Sequence, residues 1–288
     1  MTTVVVTGAT GNVGRHVVSE LRRRGVPHRA LTRDTERATV VLGPGADLVQ
    51  GDFADPESLR TAFAGAEQAF LICANDPRQL ENAANAIEAA ATAGARRVVL
   101  LSTVGAEVGA AKTFADQHGR IEHHLRSAGI PYVILRSGFL MSNLLGSLPT
   151  IRQVGQIFLP ADEARVAMID PRDVAACAVA VLCGQSGDGE THVITGPEAI
   201  TFTEVARHLS TALGRTAEYT PVPDEAALAG MLEAGMPAWL AEGVVGVFQL
   251  LREGANDHAT DSVLQLTGHD PRPVADFARD LMAPLLTR

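Results

Sequence analysis

The first fourteen residues restrict the possible folds of this chain more than any other segment. The β-branched run 4–7 leads directly into three glycines, Gly8, Gly11 and Gly14, and an amphipathic segment begins at Arg15. A strand, a tight turn and a helix start in this order form the arrangement that holds a dinucleotide pyrophosphate. One glycine permits the turn, one lets the backbone approach the phosphates, and one lets the helix pack against the strand. The expected cofactor-binding residues of this loop are Gly8, Thr10, Gly11, Asn12, Val13 and Gly14.

Strand-like and helix-like runs alternate through the first half, which predicts a parallel sheet covered by helices on both faces. The expected strands are 4–7, 28–32, 47–50, 69–73, 98–101 and 132–135. The second half is less regular. Its expected strands are 165–169 and 192–195. Its expected helices are 174–182, Phe202–Leu213 with Thr201 as its N-cap, helical segments over 224–254 broken at Pro237, and a last helix from Val274.

This pattern is typical of an α/β fold, a Rossmann-type doubly wound parallel sheet with a smaller, mostly helical C-terminal substrate lobe. We expect an NADP-binding domain over residues 1–150. Residues 151–288 are expected to form mainly the second lobe, with some segments returning to the sheet.

Composition narrows the class of protein. A net charge of −9 over 288 residues argues against a nucleic-acid partner, since phosphate contacts need a basic face. Cys73, Cys177 and Cys183 have no metal or disulfide spacing, and we expect three small buried apolar residues in a reducing compartment. We expect the N-terminal run to be a core strand rather than a signal peptide, and no apolar stretch is long enough to be expected to span a membrane. These features predict a cytoplasmic protein without a membrane partner, a monomer or a homodimer, and the Ala- and Arg-rich composition suggests a bacterial source.

Residues that follow the strands are candidates for cofactor contacts, because ligands of such sheets lie beyond the carboxyl ends of the strands. Arg33 suits the 2′-phosphate of NADP(H), which is therefore expected in preference to NAD(H), although Asp34 is a possible partner for its charge. Asp52, with Phe53 beside it, either accepts from the adenine amino group or caps the following helix, a role that suits Asp55 better.

Two further strand ends supply candidates. Small residues after the fourth strand, Cys73, Ala74 and Asn75, allow a dinucleotide to cross the sheet edge, and Asn75 either touches it or shapes a turn. Ser102 and Thr103, followed by Val104, either meet the nicotinamide and substrate or form a plain Ser/Thr turn.

His118 precedes the sixth strand and is the candidate catalytic residue. A histidine there would donate a proton or orient a substrate carbonyl with a pKa suited to neutral pH. The alternative is an exposed polar residue near a helix start. No cysteine or paired acid supports His118, His123 and His124 as a metal site, and none is expected.

The chain resembles the NmrA-like family of atypical short-chain dehydrogenases/reductases, which includes NADPH-dependent quinone reductases, isoflavone-reductase-like enzymes and cofactor-sensing regulators. The resemblance rests on the run 7–14, Arg33, Gly51-Asp52, the stretch from Pro131 to Asn143, 170–173 and 195–198. The tyrosine and lysine positions of the superfamily pair fall on Phe114 and His118, and phenylalanine cannot transfer a proton. Members of the quinone-reductase-like branch have a histidine at the position of this lysine.

Two functions follow from this resemblance. The first is a reductase of a quinone, enone or similar small aromatic acceptor, with His118 polarising or protonating it. The expected substrate contacts are Val104, Phe139, Leu140, Met141 and Asn143, with apolar residues over 231–248 in the pocket wall unless they only fill the core. The second is a regulatory protein that binds NADP(H) without chemistry, which the missing tyrosine fits equally well.

Overall fold

A seven-stranded, all-parallel sheet organises the molecule. The computed structural model describes residues 3–184 and 187–287. The strands are β1 Val4–Val6, β2 His28–Thr32, β3 Leu48–Gln50, β4 Gln68–Leu71, β5 Arg97–Thr103, β6 Tyr132–Ser137 and, from the second half, β8 Thr191–Ile194. Their order is β3-β2-β1-β4-β5-β6-β8, so the strand order reverses between β1 and β4. The doubly wound sheet expected from the sequence is confirmed, and a crevice is expected at that reversal.

Helices connect the strands and cover the sheet. In the first half they are α1 Gly14–Arg23, α2 Thr35–Leu42, α3 Pro56–Phe63, α4 Gln79–Thr92 and α5 Thr113–Ser127. A 3-10 helix at Met141–Ser147 leads to α6 Leu148–Val154 and to the short strand β7 Gln156–Leu159, and α7 Pro171–Cys183 precedes β8. The remainder comprises α8 Phe202–Leu213, β9 Glu218–Pro221, α9 Asp224–Glu233, α10 Ala238–Arg252, α11 Ser262–Thr267, α12 Val274–Phe277, a π-helical turn at Ala278–Met282 and α13 Ala283–Leu286.

The strand β1 shows why both faces of the sheet are covered. Val4 and Val6 pack on one face with α1 and α7, whereas Val5 packs on the other with α3, α4 and α5. Alternate side chains of a strand point to opposite faces, so an unbroken valine run requires an apolar layer on each side. Local caps expected from the sequence are present: Asp55 accepts from two backbone N–H groups of α3, and Thr201 forms a capping box with Glu204.

A second apolar core belongs to the C-terminal lobe. Phe139, just beyond β6, contacts both Phe202 of α8 and Phe248 of α10, with ring centroids 6.0 and 5.9 Å apart. A separate two-stranded parallel sheet, β7 with β9, borders this core and was not expected from the sequence. Each of these strands has only four residues and β9 ends in proline, so neither carries a clear alternation of apolar residues.

The strand expected at 165–169 is wrong. Residues 166–169 are buried, but the segment makes only isolated bridges, through Val166 to Ile200 and through Ile169 to Leu140. Its backbone N–H groups bond to carbonyls of three different segments, at Ile200, Asn256 and Phe139. A segment whose hydrogen-bond partners change from residue to residue cannot form the continuous ladder of a β-strand.

The cysteines also depart from expectation. Cys177 is buried as expected, but Cys183 is exposed at the end of α7 and Cys73 is half-buried. Over the part of the chain that the structure describes, no helix is long and apolar enough to span a bilayer.

Candidate functional site

The glycine-rich loop has the close geometry that its sequence predicts. Gly8 has a positive φ of 57°, and a Cβ on Gly14 would lie 2.1 Å from the carbonyl oxygen of Gly8. No side chain fits at Gly14, since this contact brings the first turn of α1 against the end of β1. The Thr7 hydroxyl, which sequence reasoning missed, lies 3.2 and 3.1 Å from the carbonyl oxygens of Phe70 and Ile72, and it accepts from the Ile72 N–H. The loop is thereby fixed against the end of β4.

A cleft of about 510 Å³ opens beside this loop, at the reversal of strand order. It collects most of the cofactor-binding residues expected from the sequence. Its lining includes Gly8, Thr10, Gly11, Arg33, Asp52, Phe53, Cys73, Ala74 and Asn75. Asn12, Val13 and Gly14 lie outside the lining, where Val13 packs in the core and Gly14 opens α1. The cleft has the position and the glycine cradle of a dinucleotide site.

Two arginines define the β2 end of this cleft. Arg33 and Arg37 both line it with exposed side chains, and Arg37 was not expected from the sequence. The carboxylate of Asp34 accepts the backbone N–H of Arg37 as the N-cap of α2, at 2.9 Å. In the described part of the chain neither guanidinium is in an ion pair, so both are available to an anionic group in the cleft. Arg37 follows Arg33 by four residues, across the first turn of α2. This spacing is the sequence signal that could have identified Arg37.

A second cavity of about 260 Å³ continues from the cleft. Ile72, Cys73 and Asn75 line both spaces and form the junction between them. The other expected residues that line this cavity are Ser102, Thr103, Val104, His118, Phe139, Leu140 and Asn143. The cavity lies beyond β4, β5 and β6, next to the dinucleotide cleft, where the sequence predicts that the hydride acceptor lies. We therefore call it the acceptor cavity.

Two expectations about the cavity wall need correction. Met141 does not line it, because its side chain is wholly buried in the core of the second lobe. The helical wall comes from the end of α10 and the loop after it, rather than from 231–248 as a whole. Its contributors are Val247, Leu250, Leu251, Ala255 and Asn256, and of these only Val247 was within the expected range.

His118 lies in the second turn of α5, which begins at Thr113. Its side chain is half-buried rather than exposed, and Nδ1 has no hydrogen-bond partner among the described residues. Burial lowers the pKa of His118 to about 4, with Glu122 opposing that shift weakly. The expected pKa suited to neutral pH is therefore wrong, and the imidazole is neutral at pH 7.

One turn further along α5, Glu122 is 0% exposed and holds together the strand ends beneath the cavity. Its carboxylate accepts from the Ser102 hydroxyl at 2.6 Å and from Arg136 at 2.8 and 2.7 Å. Burial acts to raise the pKa of Glu122, but the bonds from Arg136 and Ser102 outweigh it and lower the pKa below its usual value. Sequence reasoning missed this residue, because a single Glu on a helix carries no sign of its burial.

Phe114, at the position of the superfamily tyrosine, also lines the acceptor cavity. Its ring contacts α10 at Gly243, and the second lobe is tied to the start of α5 by further polar contacts. The Lys112 ammonium bonds Gln249, which donates to Asp224 at 2.8 Å, and Arg252 pairs with the same carboxylate. These contacts set how α9 and α10 lie over the cavity.

Comparison with known proteins agrees with this architecture. A family model described as the NmrA-like family matches residues 1–273. NAD(P)H azoreductase of Xenophilus azovorans is 32% identical over 276 residues, which cover 96% of each chain. The (4-alkanoyl-5-oxo-2,5-dihydrofuran-3-yl)methyl phosphate reductase of Streptomyces griseus is 38% identical over 278 residues, covering 96% of this chain and 97% of the relative. The chain belongs to the NmrA-like family.

Solved structures agree in fold. NADPH-dependent quinone oxidoreductase from Escherichia coli, in complex with NADPH, superimposes with a TM-score of 0.86 at 26% identity, covering 97% of this chain and 99% of that one. A negative transcriptional regulator of the family, solved with NADP, has a TM-score of 0.79 at 19% identity, covering 99% and 96%, and shows the shared fold. Fold, family and cleft together define a site for a nicotinamide dinucleotide.

Proposed function

We propose that the protein is an NAD(P)H-dependent reductase that transfers hydride to a quinone, an enone or a related aromatic acceptor. The observation that carries this proposal is the junction at Ile72, Cys73 and Asn75, where the dinucleotide cleft opens into a small cavity lined mainly by apolar residues. The azoreductase and quinone oxidoreductase relatives support the same reaction class.

The residues of the cleft fit a nicotinamide dinucleotide. The glycine cradle leaves room for a pyrophosphate against the start of α1, where the first backbone N–H groups favour an anion. Arg33 and Arg37 are both free to bind a 2′-phosphate, so we propose NADP(H) in preference to NAD(H). When bound, the dinucleotide supplies a hydride equivalent to the acceptor.

His118 positions the acceptor as a neutral imidazole. Its low pKa leaves the ring uncharged at neutral pH, so it is a hydrogen-bond donor rather than a source of a readily released proton. An N–H directed at the acceptor oxygen stabilises the negative charge that develops there when hydride adds. The product anion then takes its proton from water. Quinones and enones delocalise that anion, which explains how the site works with Phe114 in place of a tyrosine.

Turnover by the purified protein tests this function. NADPH oxidation is followed with a panel of quinones, enones and azo compounds, with NADH in parallel and a reaction without protein for the spontaneous rate. We expect oxidation above the spontaneous rate with at least one acceptor, and a lower KM for NADPH than for NADH.

Binding distinguishes the regulatory alternative. If no acceptor in the panel is reduced while NADPH binds tightly in calorimetry, the reductase proposal fails and a cofactor-sensing role replaces it. If the protein binds neither dinucleotide, both functions fail.

A further inference from the structure

The acceptor cavity differs from the dinucleotide cleft in the charge of its lining. Among the described residues that line the acceptor cavity, none is Asp, Glu, Lys or Arg. The polar side chains there are neutral hydroxyls and amides together with His118, and they include Ser137, Asn143 and Asn256. The cleft, by contrast, has Arg33, Arg37, Asp34, Asp52 and Asp76 in its lining. The change from charged to uncharged walls occurs at the junction.

The two titratable groups in the cavity lining are also uncharged at pH 7. His118 is neutral because burial lowers its pKa to about 4. Cys73 remains a thiol because burial raises its pKa to about 12, with a smaller contribution from Asp76. Neither side chain therefore supplies a counter-charge to a bound molecule.

Charged groups just outside the lining are already engaged. The Glu122 carboxylate behind Ser102 is paired with Arg136 and Arg126. The Lys112 ammonium at the start of α5 bonds Gln249, which is itself bonded to Asp224. An ionic substituent held within this cavity would lose part of its water without meeting a lining side chain of opposite charge, which is unfavourable for either sign.

We infer that the cavity takes a small, uncharged ring acceptor and discriminates against acceptors whose reacting ring directly carries a sulfonate, carboxylate or ammonium group. This inference rests on the proposed function and specifies its substrate class. The volume of about 260 Å³ is at the low end for ligand pockets, which favours a compact acceptor.

A matched pair of quinones tests it. The probes are 1,4-naphthoquinone and 1,4-naphthoquinone-2-sulfonate, which differ by one sulfonate on the reacting ring. Calorimetry on protein loaded with 1,4,5,6-tetrahydro-NADP, a cofactor analogue whose ring is uncharged and transfers no hydride, measures binding without turnover, so the different reduction potentials of the two quinones do not enter. We expect the sulfonate to bind at least about tenfold more weakly than the neutral quinone. Equal affinities, or tighter binding of the sulfonate, would overturn the inference.

A single cation added to the wall sharpens the test. Leu250 faces the cavity from α10 and is not part of the second lobe's core, so Leu250→Lys is expected to fold. It should move the affinity ratio at least about fivefold toward the sulfonate, and added salt should reduce that gain. The control is Leu264→Lys on α11, where the leucine is 44% exposed and outside the cavity, and the ratio should not change there. An unchanged ratio in Leu250→Lys would contradict the placement of the acceptor.

The outcomes separate this inference from the proposed function. Reduction of both quinones together with equal affinities in calorimetry leaves the reductase in place and removes the discrimination. If neither quinone binds the protein loaded with the cofactor analogue and neither is reduced with NADPH, the acceptor class fails and the inference fails with it.

Discussion

The ring of Phe114 on α5 lies directly against Gly243 on α10, so that a Cβ on Gly243 would be 2.3 Å from Cζ of the ring. This contact joins the sheet domain to the second lobe at the edge of the acceptor cavity. Only glycine leaves room for it. The aromatic side chain at the superfamily tyrosine position therefore serves here as a packing surface for the lobe above it.

Gly243→Ala should weaken this contact. The added methyl forces either the Phe114 ring or α10 to move, and overpacking of this kind costs about 1–3 kcal/mol in the free energy of unfolding. Urea denaturation measures the loss, and the KM for the acceptor should rise with it. Gly230→Ala on α9 is the matched control, because a Cβ there meets nothing within 4 Å and alanine favours a helix. Equal stabilities of the two variants would contradict the close packing.

His118→Ala should lower kcat/KM for the acceptor about 100-fold, because the cavity loses the N–H that we assign to the developing negative charge. NADPH affinity, measured by calorimetry, should stay unchanged. The exposed His123 on the same helix provides the control, and His123→Ala should match the parent. Parent-like turnover by His118→Ala would remove its assigned role.

The pH dependence of turnover gives a separate test of His118. With a pKa of about 4, the imidazole gains a proton only in acid, so this group should produce no inflection between pH 6 and 8. In the parent, an inflection near pH 6.5 that disappears in His118→Ala would show that the ring titrates normally.

Arg33→Glu and Arg37→Glu should each raise the Kd of NADPH about tenfold or more while changing that of NADH much less, because only NADPH has a 2′-phosphate. Calorimetry with both cofactors measures the difference. Arg207→Glu on the exposed face of α8 makes the same charge change away from the cleft and should leave both affinities near the parent values. Equal losses of affinity for NADPH and NADH would exclude a contact with the 2′-phosphate.

Glu122→Gln should lower the free energy of unfolding by about 1–3 kcal/mol, since it leaves the partly exposed Arg136 and Arg126 without their buried counter-charge. The native pKa of Glu122 is below its usual value, so the unfolded chain binds its proton more readily. Its contribution to stability is therefore present above about pH 4.5 and is lost as the pH falls through the native pKa. Urea denaturation at several pH values should show a smaller loss of stability in acid for Glu122→Gln than for the parent. An identical loss of stability in acid would contradict this assignment.

Local sequence determined the features that depend on neighbouring residues. The β-branched run and the spaced glycines specify a strand, a turn and a helix start whatever surrounds them, because φ, steric room and capping are properties of a few consecutive residues. Arg33 and Asp52 follow their strands and Ser102 lies at the end of β5, and a parallel sheet brings all these strand ends to one edge. The fold and most of the lining of the cleft could therefore be predicted.

Tertiary packing decided the rest. No local pattern shows that Leu250 and Asn256 of the second lobe reach the cavity, that Arg37 faces the cleft, or that Met141 is withdrawn into a core. The charge states of His118 and Glu122 also depend on burial and on partners distant in sequence, such as Arg136 for Glu122. Desolvation and packing arise only when separate segments come together, and for this reason the sequence gives the position of His118 while the folded structure determines its chemistry.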